Sequence, residues 1–372
     1  MMKKILFAAV LLLAGSQFSF AQSDVADFLK FGKDDANKLI GAYIDPYAKT
    51  LGIGLNNSWY NSAETHKLWG FDLAFSVSAI QVSGSDKTFD VNALGLSNAK
   101  PRGTNSMAPT AAGDEDGIVL DIYADLEDPS TYVGSLSTPG GSGVDLVPIP
   151  MVQATFGLLP HTDLIGRWVP NVKFDIEDDQ AEVGLWGLGV KHNFKESLPF
   201  IKHLPFDASF FLGYSKIHGQ IGVDYGLDNY PGSFEYKKEE VRVREYLSNY
   251  EQDPNQRGET ETSTFKYGLI VSKKLSVITF YVSASGNQSK TNFDLLGRYP
   301  VVSEQTIIDV VNHVPEDEVE IDVQDPIQLE IKNKYFAVDA GFRLKLAFFS
   351  LYGSVAKADY VSYNAGLSFG FR

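Results

Sequence analysis

Few side chains in this sequence are spaced to do chemistry. The six histidines, His66, His161, His192, His203, His218 and His313, show no H-E-x-x-H or other ligand spacing, so neither a metal site nor a catalytic imidazole is expected. Gly366-Leu367-Ser368-Phe369-Gly370 fits the G-x-S-x-G nucleophile pattern. That pattern needs a strand-turn-helix with an acid and a histidine downstream, and only Phe371 and Arg372 follow it. There is no cysteine, which excludes thiolate nucleophiles, thiolate metal sites and disulfides. The acidic stretches Asp175 to Asp179 and Pro315 to Asp325 lack the D-x-D-x-D-G order of a calcium loop and read as solvated charge. No catalytic residue, metal or cofactor is therefore assigned, and the chain is not expected to be an enzyme. What remains is a set of charges on one parity of alternating segments: Asp72, Asp163, Arg167, Lys266, Asp339, Arg343 and Lys345. Inside a membrane barrel such groups pair or face water, so they either tie a plug to the wall or guide a solute.

The elements that would position them have period two. Trp69, Phe71, Leu73, Phe75, Val77 and Ala79 alternate with Gly70, Asp72, Ala74, Ser76 and Ser78. Phe336 to Leu346 and Tyr363 to Phe371 repeat the pattern, as do segments around Phe265 and Phe280, where Ile270 interrupts. A secreted β-sandwich also alternates, but its strands run to about 5–6 residues, whereas these approach the ~9–11 needed to cross a bilayer at a tilt. The opposite faces are rich in Gly, Ser and Ala, which suits a lumen whose contents lie close to the wall. The expected fold is all-β: an antiparallel transmembrane barrel of about 12–14 strands with a short helical plug and long extracellular loops. Twelve runs can be drawn, near 51–60, 69–81, 88–96, 150–158, 163–174, 181–194, 206–217, 263–273, 276–288, 334–346, 349–356 and 361–372. The three longest connections, roughly 97–149, 218–262 and 289–333, then share one side, as they must if short turns face the periplasm.

The 372 residues carry a net charge of −15, which disfavours nucleic acid as a partner. Lys3 and Lys4, the apolar run Ile5 to Ala14 and Ser19-Phe20-Ala21 read as a signal peptide over 1–21, implying export. Residues 22–50 then read as a helical plug or hatch, with 51–372 as the barrel. Ala36, Leu39, Ile40, Tyr43, Ile44, Tyr47, Ala48 and Leu51 follow helical spacing, with a break near Gly32 and a kink or restart at Asp45-Pro46. The stripe Leu39, Ile40, Tyr43, Ile44 and Tyr47 offers an apolar surface to cargo. The same stripe would equally pack on a sheet.

The helix, the run Gly52 to Asn61 and Trp69-Gly70-Phe71-Asp72-Leu73 resemble an uncharacterised family of Bacteroidota outer-membrane β-barrel proteins. Gly187 to His192 and Leu198 to Ser209 extend that resemblance over most of the chain. Gly366, Phe369 and Phe371 are similar to the terminal insertion signal of outer-membrane barrels, although Arg372 replaces the final aromatic. The layout of plug plus barrel is similar to that of long-chain fatty-acid transporters of the outer membrane. These resemblances imply a Gram-negative outer-membrane location, with lipid and the barrel-insertion machinery as partners. The function they imply is passage or binding of small hydrophobic solutes. A non-transporting surface barrel whose acidic loops bind a partner, and a secreted soluble β-protein, are the alternatives.

Overall fold

The computed structural model describes residues 28–371 except 124–125, 127–131, 177–178, 200–201, 231–232, 237–238 and 303. The expected signal peptide lies outside the described residues. Ten antiparallel strands close into a barrel: β1 (Phe71–Gln81), β2 (Leu146–Leu159), β3 (Thr162–Ile176), β4 (Asp179–Asn193), β5 (Asp207–Gly222), β6 (Arg257–Leu275), β7 (Ile278–Leu296), β8 (Ile327–Leu346), β9 (Phe349–Lys357) and β10 (Val361–Phe371). Each strand pairs with the next, and β10 closes on β1 in a register that sets Phe71 opposite Phe371 and Gln81 opposite Val361. The fold class is as the alternation predicts.

The strand number is ten, not twelve to fourteen. The run at 88–96 lies outside the wall as the short strand Thr88–Asp90 and a turn over Val91–Leu94, where the Asp90 carboxylate accepts from the Asn92 backbone N–H. The run at 51–60 is the end of the long helix α1 (Lys33–Asn56) followed by an extended segment. Leu51, Ile53 and Leu55 imitate a strand because glycines separate them, yet Gly52 and Gly54 are also buried. Burial on every side is what a segment inside a lumen experiences. The plug therefore passes the expected boundary at 50, and the wall begins only at Phe71. Pro46 sits inside the helix without ending it, and the Thr50 hydroxyl donates to the Pro46 carbonyl at 2.7 Å. Gly32, at φ 81, does separate α1 from the preceding turn over Phe28–Phe31.

Phe71, Leu73, Phe75 and Val77 of β1, Leu188 and Val190 of β4, Phe280 and Val282 of β7, and Phe336, Val338 and Phe342 of β8 are exposed on the outer surface. Together they form an apolar belt on the outer face of the strands, the pattern of a transmembrane barrel, and no helix among the described residues is long and apolar enough to cross a membrane. One end of the barrel carries short links, including the turns after Leu159, Leu275 and Leu346, and the other carries the long connections 82–145, 223–256 and 297–326. Strands β6, β7 and β8, of 19, 19 and 20 residues, exceed what a bilayer requires and rise beyond it on the long-connection side.

Candidate functional site: the plugged lumen

Helix α1 enters at the long-connection end. There Leu39 and Ile40, both 0% exposed, and Tyr43 pack with Phe28 and with loop and strand-end residues Val91, Leu120, Tyr225, Tyr299, Leu295 and Ile327 in one apolar cluster. Ile44 and Tyr47 lie at its edge. The stripe expected to line a cavity is thus covered by the barrel's own loops. Polar contacts flank this stripe: the buried Asp35 carboxylate accepts from the Ser97 and Asn98 backbone N–H groups, Asn37 donates to the Pro326 carbonyl, Tyr43 donates to the Gly140 carbonyl at 2.7 Å and Tyr47 bonds the Ser142 hydroxyl at 2.6 Å.

Lower down, the plug touches the wall through small residues. A Cβ on Gly54 would lie 2.7 Å from Ile149 Cγ1, and one on Gly52 would collide with Ser289. Tyr335 receives a hydrogen bond from Asn56 at 3.2 Å and donates to the Gly52 carbonyl at 3.3 Å. Arg167, 2% exposed, reaches the end of the helix from β3. It donates to the carbonyls of Leu55 at 2.7 Å and Asn57 at 2.6 Å and to Gln153 at 3.1 Å, and its guanidinium stacks 3.6 Å above the Trp59 ring. A cation at a helix C-terminus meets the negative end of the macrodipole and the carbonyls the helix leaves unpaired.

Beyond the helix, Trp59, Tyr60 and Ala63 pack against Ile165, Phe211, Ile270 and Tyr281 of the wall. Ile270, which breaks the alternation, faces inward because this cluster needs it. Tyr60 bonds Ser283 at 2.8 Å and donates to Asp339 at 3.2 Å, and Ser283 also bonds Asp339. At the short-turn end the Asp163 carboxylate, 0% exposed, accepts the His66 backbone N–H at 2.9 Å and pairs with Lys191 at 3.2 Å. The His66 ring stands between Asp163, at 3.2 Å, and Asp72, at 3.6 Å. Lys191 donates to the Glu64 carbonyl at 2.7 Å, and Arg343 pairs with the Glu64 carboxylate at 2.7 Å. The chain then leaves the lumen and begins β1.

Five of the seven charges singled out by parity, Asp163, Arg167, Lys266, Asp339 and Arg343, are buried in the lumen, while Asp72 and Lys345 are half-buried at its short-turn end. They do not form one site: Arg167, Lys266 and Asp339 surround Trp59 and Tyr60, while Asp72, Asp163 and Arg343 gather at the foot. Sequence reasoning missed Lys191, although it shares the inward parity of Gly187 and Gly189 and stands opposite Asp163. It also missed His66, Glu64, Trp59 and Tyr60, which lie in an extended segment with no period to reveal their direction. Phe369 and Phe371 are exposed on the outer wall, and a Cβ on Gly366 would strike the Tyr352 ring. No group of three or more metal-ligating side chains occurs among the described residues.

The model of a family of unknown function (DUF6588) matches residues 2–371. No curated protein matches the chain. Among solved structures, the chain is similar to the outer membrane protease OmpT of Escherichia coli, with 11% identity, 83% of this chain and 100% of that chain covered, and a TM-score of 0.31. It is also similar to the translocator domain of the autotransporter NalP of Neisseria meningitidis, with 7% identity, 89% and 96% covered, and a TM-score of 0.29.

Proposed function

We propose that this chain, which belongs to the DUF6588 family, is an outer-membrane barrel held shut by its own N-terminal plug, and that it takes small hydrophobic solutes at its outer mouth. One observation carries the reading: the two halves of the plug are attached by different physics. The stripe of α1 meets the loops through apolar contacts, with Asp35, Tyr43 and Tyr47 hydrogen-bonded to loop residues at its edges, while the segment from Asn56 to His66 is tied to the wall by buried hydrogen bonds and ion pairs. Apolar contacts exchange readily for an apolar solute, because neither partner leaves a polar group unpaired. Buried charged contacts do not exchange, since separating them strands a charge out of water. The exchangeable surface is thus the contact between the helix stripe Leu39, Ile40, Tyr43, Ile44 and Tyr47 and its loop cap, pinned at one end by Asp35, and the fixed part is the foot. The apolar outer belt supports a place in a Gram-negative outer membrane, with lipid and the barrel-insertion machinery as partners.

The second reading is a sealed surface barrel whose acidic loops bind a partner, and the density of ties at the foot favours it. Deleting residues 24–48 and reconstituting the protein in liposomes separates the two. On the hatch reading the deletion variant folds, admits solutes that the full chain excludes, and no longer binds an apolar probe. An equally tight deletion variant would overturn it.

A further inference from the structure

We propose that the lumen binds one small monovalent anion of the halide class against Lys266. This side chain is 4% exposed, its ammonium lies 4.9 Å from the centre of the Tyr60 ring, and it makes no hydrogen bond or ion pair with any described residue. A buried ammonium without a counter-charge is costly. Arg167, the neighbouring buried cation, spends its donors on carbonyls and Gln153 and has no carboxylate partner among the described residues. The nearby carboxylate, Asp339, is occupied by Tyr60 and Ser283. Two cations against one carboxylate leave this level of the lumen with one positive charge in excess.

Unsatisfied donors converge on the same place. The indole N–H of Trp59 and the hydroxyls of Ser215 and Thr264 are buried without a hydrogen-bond partner. Thr264 shares the inward face of β6 with Lys266, and across the ladder Ser215 stands opposite Thr264 and Gly213 opposite Lys266. The Trp59 ring lies over Gly213, where a Cβ would be 3.1 Å from Cε2, the ring atom bonded to the indole nitrogen. Indole N–H and ammonium can only donate, and hydroxyls can do so, which suits an anion and repels a cation. The enclosure between plug and wall favours a small ion. The single excess charge favours a monovalent one, because a divalent oxyanion would reverse the imbalance.

The test uses the full-length protein folded in detergent, with bromide as the probe in a sulfate background. Crystals grown in bromide should show an anomalous peak within hydrogen-bonding reach of Lys266 Nζ and Trp59 Nε1, and the Tm should rise saturably with bromide. Lys266→Met and, separately, Thr264→Val should abolish or weaken both signals. Density at the site without anomalous signal, meaning water alone, would overturn the proposal. A bromide-dependent Tm rise of the same size in the folded variants would do so as well; if Lys266→Met does not fold, Thr264→Val and the wild-type anomalous map still decide.

Discussion

A guanidinium shut away from water needs partners, and Arg167 has one at each of its three nitrogens by closing the end of α1 and bonding Gln153, while its plane stacks on Trp59. Replacing it with Met keeps much of the volume but orphans the Leu55 and Asn57 carbonyls. Each buried unpaired group costs about 1–3 kcal/mol, so Arg167→Met should lower stability by roughly 2–4 kcal/mol in denaturant titration of the refolded protein. Asp163→Asn acts at the foot, where it leaves Lys191 without its carboxylate. We expect hydrogen exchange at the His66 and Glu64 amides to accelerate while β6 and β7 stay protected; unchanged exchange would show that the foot is held by other means. Both residues were legible because strand parity tells inside from outside. His66, Tyr60 and Glu64 were not, because an extended segment surrounded on all sides carries no alternation to read.

Between α1 and the wall, space is set by glycine. Gly52→Ala should destabilise the protein through collision with Ser289, and Ser289→Gly should rescue it, a coupling measurable as a double-mutant cycle. Additive effects would show that the helix shifts to accommodate the methyl group. A second tie joins α1 to the loops: Lys49 pairs with Asp86 at 3.3 Å, and Tyr360 donates to the same carboxylate at 2.7 Å. Burial alone would raise the Asp86 carboxyl, but the hydrogen bonds from Tyr360 and Ser85 and the Lys49 ammonium hold it below its usual range. A carboxyl so depressed stabilises the fold above its unfolded value, and the contribution fades as pH falls through the folded one. The protection of the Asp86 amide, which donates to the Ser83 carbonyl, relative to its intrinsic exchange should therefore fall below about pH 4, and Lys49→Gln should reduce that acid sensitivity. The helix itself was visible from its spacing, but its last two turns were not. Leu51, Ile53 and Leu55 satisfy period two, and only tertiary burial decides between strand and helix there.

At the scale of the molecule, alternation over eight to twelve residues announced the barrel and the common side of its long connections, because lipid and lumen impose opposite demands on successive side chains. The count was harder to read, since nothing local distinguishes a wall strand from an extended segment within or above the wall. Phe369 and Phe371 lie on the outer face where β10 closes against β1. Phe369→Asp with Phe371→Asp sets charge against hydrocarbon at a cost of a few kcal/mol, depending on depth. We expect little folded protein in the membrane fraction and loss of the heat-modifiable gel shift. Normal folded levels would place that seam outside the bilayer.

The direction of α1 has a consequence for how the molecule is made. Its first residues lie at the long-connection mouth, and its far end passes, through a foot tied to four wall strands, directly into β1. A cylinder that had already closed would have to admit this segment N-terminal end first, along the whole lumen. A sheet that curls about this segment, with the seam between β10 and β1 closing after it, avoids that passage. The small inward side chains then record the contour of the object around which the wall was rolled.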